Sequence, residues 1–115
     1  MKKAILGSLA AAAIIMASTA ISLADPIEGM WLTGDKALVK VSKCGGEFCV
    51  DVADGKYKGK RSGTLKASGG SYSGTLKQFS TGISFNGVAT VSGNVMKLVA
   101  KKFGLTVKTD KWIRQ

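Results

Sequence analysis

The chain has 115 residues, of which 17 are lysine or arginine, 7 are aspartate or glutamate and none is histidine, for a formal net charge of +10. A chain that short builds one domain around a small core, and the lack of histidine removes the commonest general base and a usual zinc ligand. The charge favours anionic partners.

The first 24 residues read as an export signal. Lys2 and Lys3 precede an apolar run from Ala4 to Ala17, and Ser22-Leu23-Ala24 offers small residues for a peptidase. The run holds Gly7 and Ser8 and ends at Ser18-Thr19, short of the roughly 20 apolar residues that a membrane span requires. Cutting after Ala24 takes the chain from 115 to 91 residues and the charge from +10 to +8, and no lipid-attachment cysteine follows the cut. The expected organisation is a signal peptide over 1–24 and a single domain over 25–115, with no transmembrane segment after signal removal. Export would also separate the chain from nucleic acid, which is not an expected partner.

After Pro26, the run Ile27 to Thr33 is apolar on both alternating sets and predicts a first strand, ended by Gly34-Asp35. Lys36 to Lys43 alternates, with Ala37, Val39 and Val41 facing one way. The next strand puts Phe48, Val50 and Val52 inward, so Cys44 and Cys49 fall on the solvent parity. Direct pairing of the cysteines across the hairpin would set Ser42 opposite Asp51 and Val41 opposite Val52. A redox or metal pair would need the C-x-x-C spacing or further cysteine or histidine ligands, and the sequence has neither. A structural disulfide of an exported protein is the expectation.

Asp54 to Gly63 is the least patterned segment. Lys56, Lys58, Lys60 and Arg61 surround Tyr57 there and form a candidate anion-binding loop, with a merely solvated loop as the alternative. Next, Ser62-Gly63-Thr64-Leu65-Lys66 recurs as Ser73-Gly74-Thr75-Leu76-Lys77 across the turn-forming Ser68-Gly69-Gly70-Ser71. Folded as a hairpin, Gly63 lies opposite Leu76 and Leu65 opposite Gly74, and the glycines allow the coiling that a closing sheet needs. Asn86-Gly87 predicts a type I′ hairpin joining Thr81–Phe85 to Val88–Val91. Ser92-Gly93-Asn94 predicts a turn into Val95–Lys101. In the last strand, Leu105 to Arg114, Leu105 and Val107 point inward, and Trp112 needs a bulge near Asp110 to do the same. No helical period appears, leaving eight or nine short antiparallel strands. The fold class is therefore all-β, a small up-and-down barrel whose closure removes the sheet edges.

Gly29-Met30-Trp31 near the start of that domain, with a basic residue in the closing Trp112-Ile113-Arg114, resembles the lipocalin-like barrels. More closely, Asp25-Pro26-Ile27-Glu28-Gly29-Met30-Trp31-Leu32-Thr33, Lys43-Cys44-Gly45-Gly46-Glu47-Phe48-Cys49 and the terminal Trp112-Ile113-Arg114 resemble the DUF2147 family of exported bacterial proteins of unknown function. The resemblance covers the first third of the domain and its last strand. The middle lacks the longer central segment and further cysteine associated with that family. The resemblance implies a lipocalin-like barrel in which Gly29, Trp31, Trp112 and Arg114 define the fold and Arg114 packs on Trp31. It also implies a periplasmic or secreted protein of a Gram-negative bacterium, and it supplies no catalytic residues.

Asp51 and Asp54 lie on opposite strand faces, Glu28 and Glu47 have no defined partner, and there is no Ser-x-x-Lys motif. No enzyme, metal or cofactor is expected. The leading expectation is an envelope interaction module that docks on anionic lipid, glycan or acidic protein through Lys56, Lys58, Lys60 and Arg61, or else through Lys97, Lys101 and Lys102. A second is a carrier whose interior, lined by Val39, Val41, Phe48, Val50, Leu76, Met96 and Leu98, holds a small apolar ligand, although a short chain favours an interior filled by its own side chains. A third is a small barrel-type inhibitor of an envelope enzyme.

Overall fold

Short alternating runs between tight turns give eight antiparallel strands in the computed structural model, which describes residues 25–115. In chain order they are β1 (Gly29–Leu32), β2 (Leu38–Cys44), β3 (Glu47–Val52), β4 (Arg61–Ser68), β5 (Ser71–Gln78), β6 (Ile83–Ser92), β7 (Val95–Lys102) and β8 (Leu105–Arg114). Each strand pairs with the next and β8 returns to β1, closing an up-and-down barrel. The expected signal segment lies outside the described residues. Among the described residues no helix is long and apolar enough to cross a membrane.

Period-2 alternation points one set of side chains into the barrel. Trp31, Val41, Val50, Leu65, Leu76, Ala89 and Met96 are all buried. One end is closed. There the segment before β1 folds under the barrel: Ile27 is fully buried and its carbonyl accepts a hydrogen bond from Trp31 Nε1 at 2.9 Å. Phe48 and Tyr72 meet edge to face at 5.6 Å, and the Tyr72 hydroxyl donates to the Asp25 carboxylate. Burial and that carboxylate push the Tyr72 phenol up to about 12.

The ladder that closes the ring is short, with only Trp31 opposite Arg114 and Leu32 opposite Ile113. Side chains and flanking backbone reinforce it. Arg114 Nη1 donates to Glu28 O at 2.8 Å and Nη2 to Pro26 O at 2.5 Å, while the guanidinium lies 4.3 Å from the centre of the Trp31 ring. Gln115 N donates to Met30 O at 2.9 Å. Gly29 has φ +133°, and a Cβ there would come 3.0 Å from Arg114 Nη1, so glycine suits both the backbone and the approach of the arginine.

The cysteines form the expected disulfide, with a Cα separation of 5.8 Å, but not as a directly opposed pair. Cys44 faces Glu47 and Cys49 faces Ser42, so the bridge runs diagonally. The loop is only Gly45-Gly46, which brings Val41 opposite Val50 instead of Val52. A shift of two preserves parity, so the apolar faces still match. Cys49 sits on the outer parity yet is 2% exposed, with Ser42 and Thr64 as its neighbours across the two ladders.

Three further expectations are corrected. Asn86-Gly87 does not turn: β6 runs through it, with Asn86 opposite Thr75 and Lys101 and Gly87 opposite Gly74 and Ala100. A turn there would forfeit ladder bonds on both sides, a larger loss than any local turn preference supplies. The irregularity in β8 lies where the register steps from Ala100–Lys108 to Lys101–Thr106, which leaves Val107 as the extra residue instead of one near Asp110. Leu105, opposite Lys102, stays on the inner parity and Val107 lines the cavity mouth, but both lie at the open rim and are 70% and 60% exposed instead of packed in the core. Arg61 belongs to β4, not to the preceding loop.

Candidate functional site

Above the closed floor the barrel is open. A cavity of about 820 Å³ enters from the end that carries the β1–β2, β3–β4, β5–β6 and β7–β8 connections. Val39, Val50, Leu76, Leu98 and Trp112 line its depths, whereas Val41, Phe48 and Met96 pack in the filled half. The interior is thus part core and part cavity, which corrects the expectation of a fully filled barrel. Small inward residues open the space. Gly87 lies between Leu98 and Leu76, where a Cβ would come 3.1 Å and 3.5 Å from their Cδ1 atoms, and Ala100 beside it also lines the cavity.

The mouth is aromatic and cationic. Tyr57 from the β3–β4 connection stacks on Phe79 from the β5–β6 connection at 5.4 Å, and Lys56 and Lys77 each lie 5.6 Å from the centre of the Tyr57 and Phe79 rings respectively. Lys36, Lys102 and Lys108 also line it. Three acids also line it, and all accept hydrogen bonds, Asp54 from Gly55 N at 2.8 Å. Asp110 Oδ2 accepts hydrogen bonds from Gly34 N at 3.2 Å and Trp112 Nε1 at 3.0 Å. Asp35 accepts from the Thr33 hydroxyl and from Gln78 Nε2 at 3.3 Å, and chiefly the Thr33 bond holds its carboxyl below the usual carboxylate range.

The four basic residues singled out in the sequence lie in one region but in different surroundings. Lys56 is at the mouth, while Lys58 and Lys60 are exposed on backbone turns in which Lys58 N bonds Gly55 O and Lys60 N bonds Tyr57 O. Arg61 Nε donates to Asp51 Oδ1 at 2.8 Å, an ion pair that raises the arginine pKa. Sequence reasoning named Lys102 but missed the Tyr57–Phe79 stack and the placing of Lys36, Lys77 and Lys108 at the same mouth, because these residues are far apart in the chain and meet only in the folded barrel. One signal was available: from Gly55 to Thr109 the chain carries ten basic residues and no acidic one, so the positive charge is concentrated on β4 to β7 and their connections.

Among the described residues no cluster of three or more histidine, cysteine, aspartate or glutamate side chains has metal-site geometry. No family model, no curated protein and no solved structure matches the chain.

Proposed function

We propose that this barrel is an exported, non-catalytic binding module that carries one small apolar molecule with an anionic end in its open half. The observation that carries this reading is the cavity of about 820 Å³, apolar in its depths and cationic at its mouth. That volume is within the roughly 300–1,000 Å³ usual for small-molecule sites, and eight strands are about the smallest barrel that can enclose a ligand. The apolar part of a guest would displace water from Val39, Leu76 and Leu98, and Lys36, Lys56 or Lys77 would meet its charge. The export pattern of the first 24 residues and the Cys44–Cys49 disulfide support an oxidising compartment such as the periplasm. The resemblance to DUF2147 proteins points the same way.

Titration with a long-chain carboxylate and the matching alcohol, by displacement of an apolar fluorescent probe, tests this reading. One equivalent of carboxylate should bind, more tightly than the alcohol, and Ala100→Trp, which fills the space beside Gly87, should abolish binding without lowering the melting temperature. Saturable binding that survives Ala100→Trp would refute the assignment, as would no binding to the native protein.

The exposure of Lys58 and Lys60 favours a second reading, in which this loop docks on acidic envelope material. Such binding would be salt-sensitive and lost when Lys56, Lys58 and Lys60 are neutralised.

A further inference from the structure

The β7–β8 connection is a two-residue hairpin loop, Phe103-Gly104, with Lys102 paired to Leu105 across it. Both loop residues have positive φ, +54° and +78°, the signature of a type I′ turn. Asparagine or aspartate normally takes the first of these positions, because their side chains tolerate the left-handed region and phenylalanine does not. Phe103 is in addition 93% exposed. The residue is therefore unfavourable in two independent ways, in backbone conformation and in solvation, and the fold gains no burial from it. Strain and exposure together at a loop tip mark a place where the side chain acts on something outside the molecule.

Its surroundings define that partner. Leu105, Val107 and Ile83 are 70%, 60% and 51% exposed, and Lys102 Nζ donates to Ser84 O at 2.9 Å, which ties the tip to the start of β6 next to Ile83. Lys101, Lys102 and Lys108 flank the apolar tip, inside the long segment with no acidic residue. Lys102, Val107, Lys108 and Ile83 also line the cavity mouth, so the tip and the mouth share one end of the barrel. Asp35 lies near Lys108 but is held by Thr33 and Gln78, and apolar side chains flanked by lysines at a loop tip complement a surface that is apolar just below a layer of phosphates.

We propose that the Phe103-Gly104 tip seats the open end of the barrel on an anionic phospholipid surface, with Phe103 and Leu105 entering the interface and Lys101, Lys102 and Lys108 meeting lipid phosphates. This docking does not depend on whether the cavity takes a guest. If both hold, a guest would pass between bilayer and barrel without crossing water.

Co-sedimentation with vesicles of phosphatidylcholine, alone or mixed with phosphatidylglycerol, tests the proposal at low salt. The native chain should bind the mixed vesicles and not pure phosphatidylcholine. Phe103→Asn creates the preferred Asn-Gly pair, so the melting temperature should hold or rise while vesicle binding falls at least tenfold. Leu105→Thr, which keeps a strand-forming residue, should weaken binding in the same direction, and Lys108→Gln should lower it only at low salt. The proposal is overturned if the native chain does not bind the mixed vesicles, if it binds both vesicle types equally, or if both apolar variants bind as tightly as the native chain. Concentration-dependent dimers that Phe103→Asn dissolves would assign the tip to a second copy of this chain and equally overturn it.

Discussion

The guanidinium of Arg114, the penultimate residue, lies 4.3 Å from the centre of the Trp31 ring and hydrogen bonds to the carbonyls of Glu28 and Pro26, which lead into β1. One side chain thereby joins the first strand to the last and covers the floor of the barrel.

Removing that side chain should be costly. Arg114→Ala loses a cation–π contact and two charged hydrogen bonds, and we expect unfolding in urea to show a loss of about 2–4 kcal/mol. Arg114→Lys should recover less than half of it, since a lysine cannot stack on Trp31 and reach both carbonyls. A loss below about 0.5 kcal/mol for the alanine variant, the range of ordinary surface changes, would show that the closing ladder holds without this residue.

Gly63 and Gly74 allow β4 and β5 to approach closely. A Cβ on Gly63 would lie 1.9 Å from Thr75 O, and one on Gly74 would lie 1.9 Å from Thr64 O, both backbone atoms that cannot rotate away. Either alanine variant should lose at least about 2 kcal/mol in chemical denaturation. Gly46→Ala provides the control. No atom lies within 4 Å of its Cβ position, so it should change stability by no more than about 0.5 kcal/mol.

Tyr72 gives the fold an alkaline limit. Its phenol is raised from 10.0 to about 12 by burial and by Asp25. A raised pKa means that the unfolded chain gives up this proton first, so the contribution of Tyr72 is complete below pH 10.0 and is lost as pH rises through about 12. The stability advantage of the native chain over Tyr72→Phe should accordingly be constant at neutral pH and shrink across that window. A constant difference up to the top of the window would contradict this.

Reduction of Cys44–Cys49 should leave a folded but weaker barrel. Closing so short a loop restricts the unfolded chain by about 2 kcal/mol in the chain-entropy model. Denaturant midpoints of the oxidised and reduced protein should differ by that amount, and mass before and after alkylation reports which form is present. Equal midpoints would mean that the Gly45-Gly46 turn sets the hairpin alone.

The strands around Val39 and Val41, Phe48 and Val50, and Met96 and Leu98 were legible because one buried face imposes period 2. The repeat gave the pairing of Gly63 with Leu76, found in the structure. Asn86-Gly87 misled because turn preference is local, while β6 is held by ladders on both sides. The carrier reading named four residues that line the cavity, Val39, Val50, Leu76 and Leu98, but not that half of the interior stays open. That depends on Gly87 and Ala100 facing the same space as Leu76 and Leu98, which follows from the register of three neighbouring strands once β6 runs straight through Asn86-Gly87. Leu105 and Val107 were read as core from their alternation, but they sit at the rim, where the inner face of the barrel meets the open mouth instead of packed side chains.

The β1–β8 ladder has two register pairs, whereas β6 has seven with each neighbour. Parting that ladder breaks fewer backbone bonds than parting any other, so native-state hydrogen exchange should proceed fastest there, with the Gln115 amide, bonded to Met30 O, among the early ones. A ring with one weak clasp loosens sideways before it melts, and loosening here opens the wall between Gly34 and Asp110 beside the cavity. Arg114, by holding the clasp shut, would then also set how fast the interior exchanges its contents through the wall.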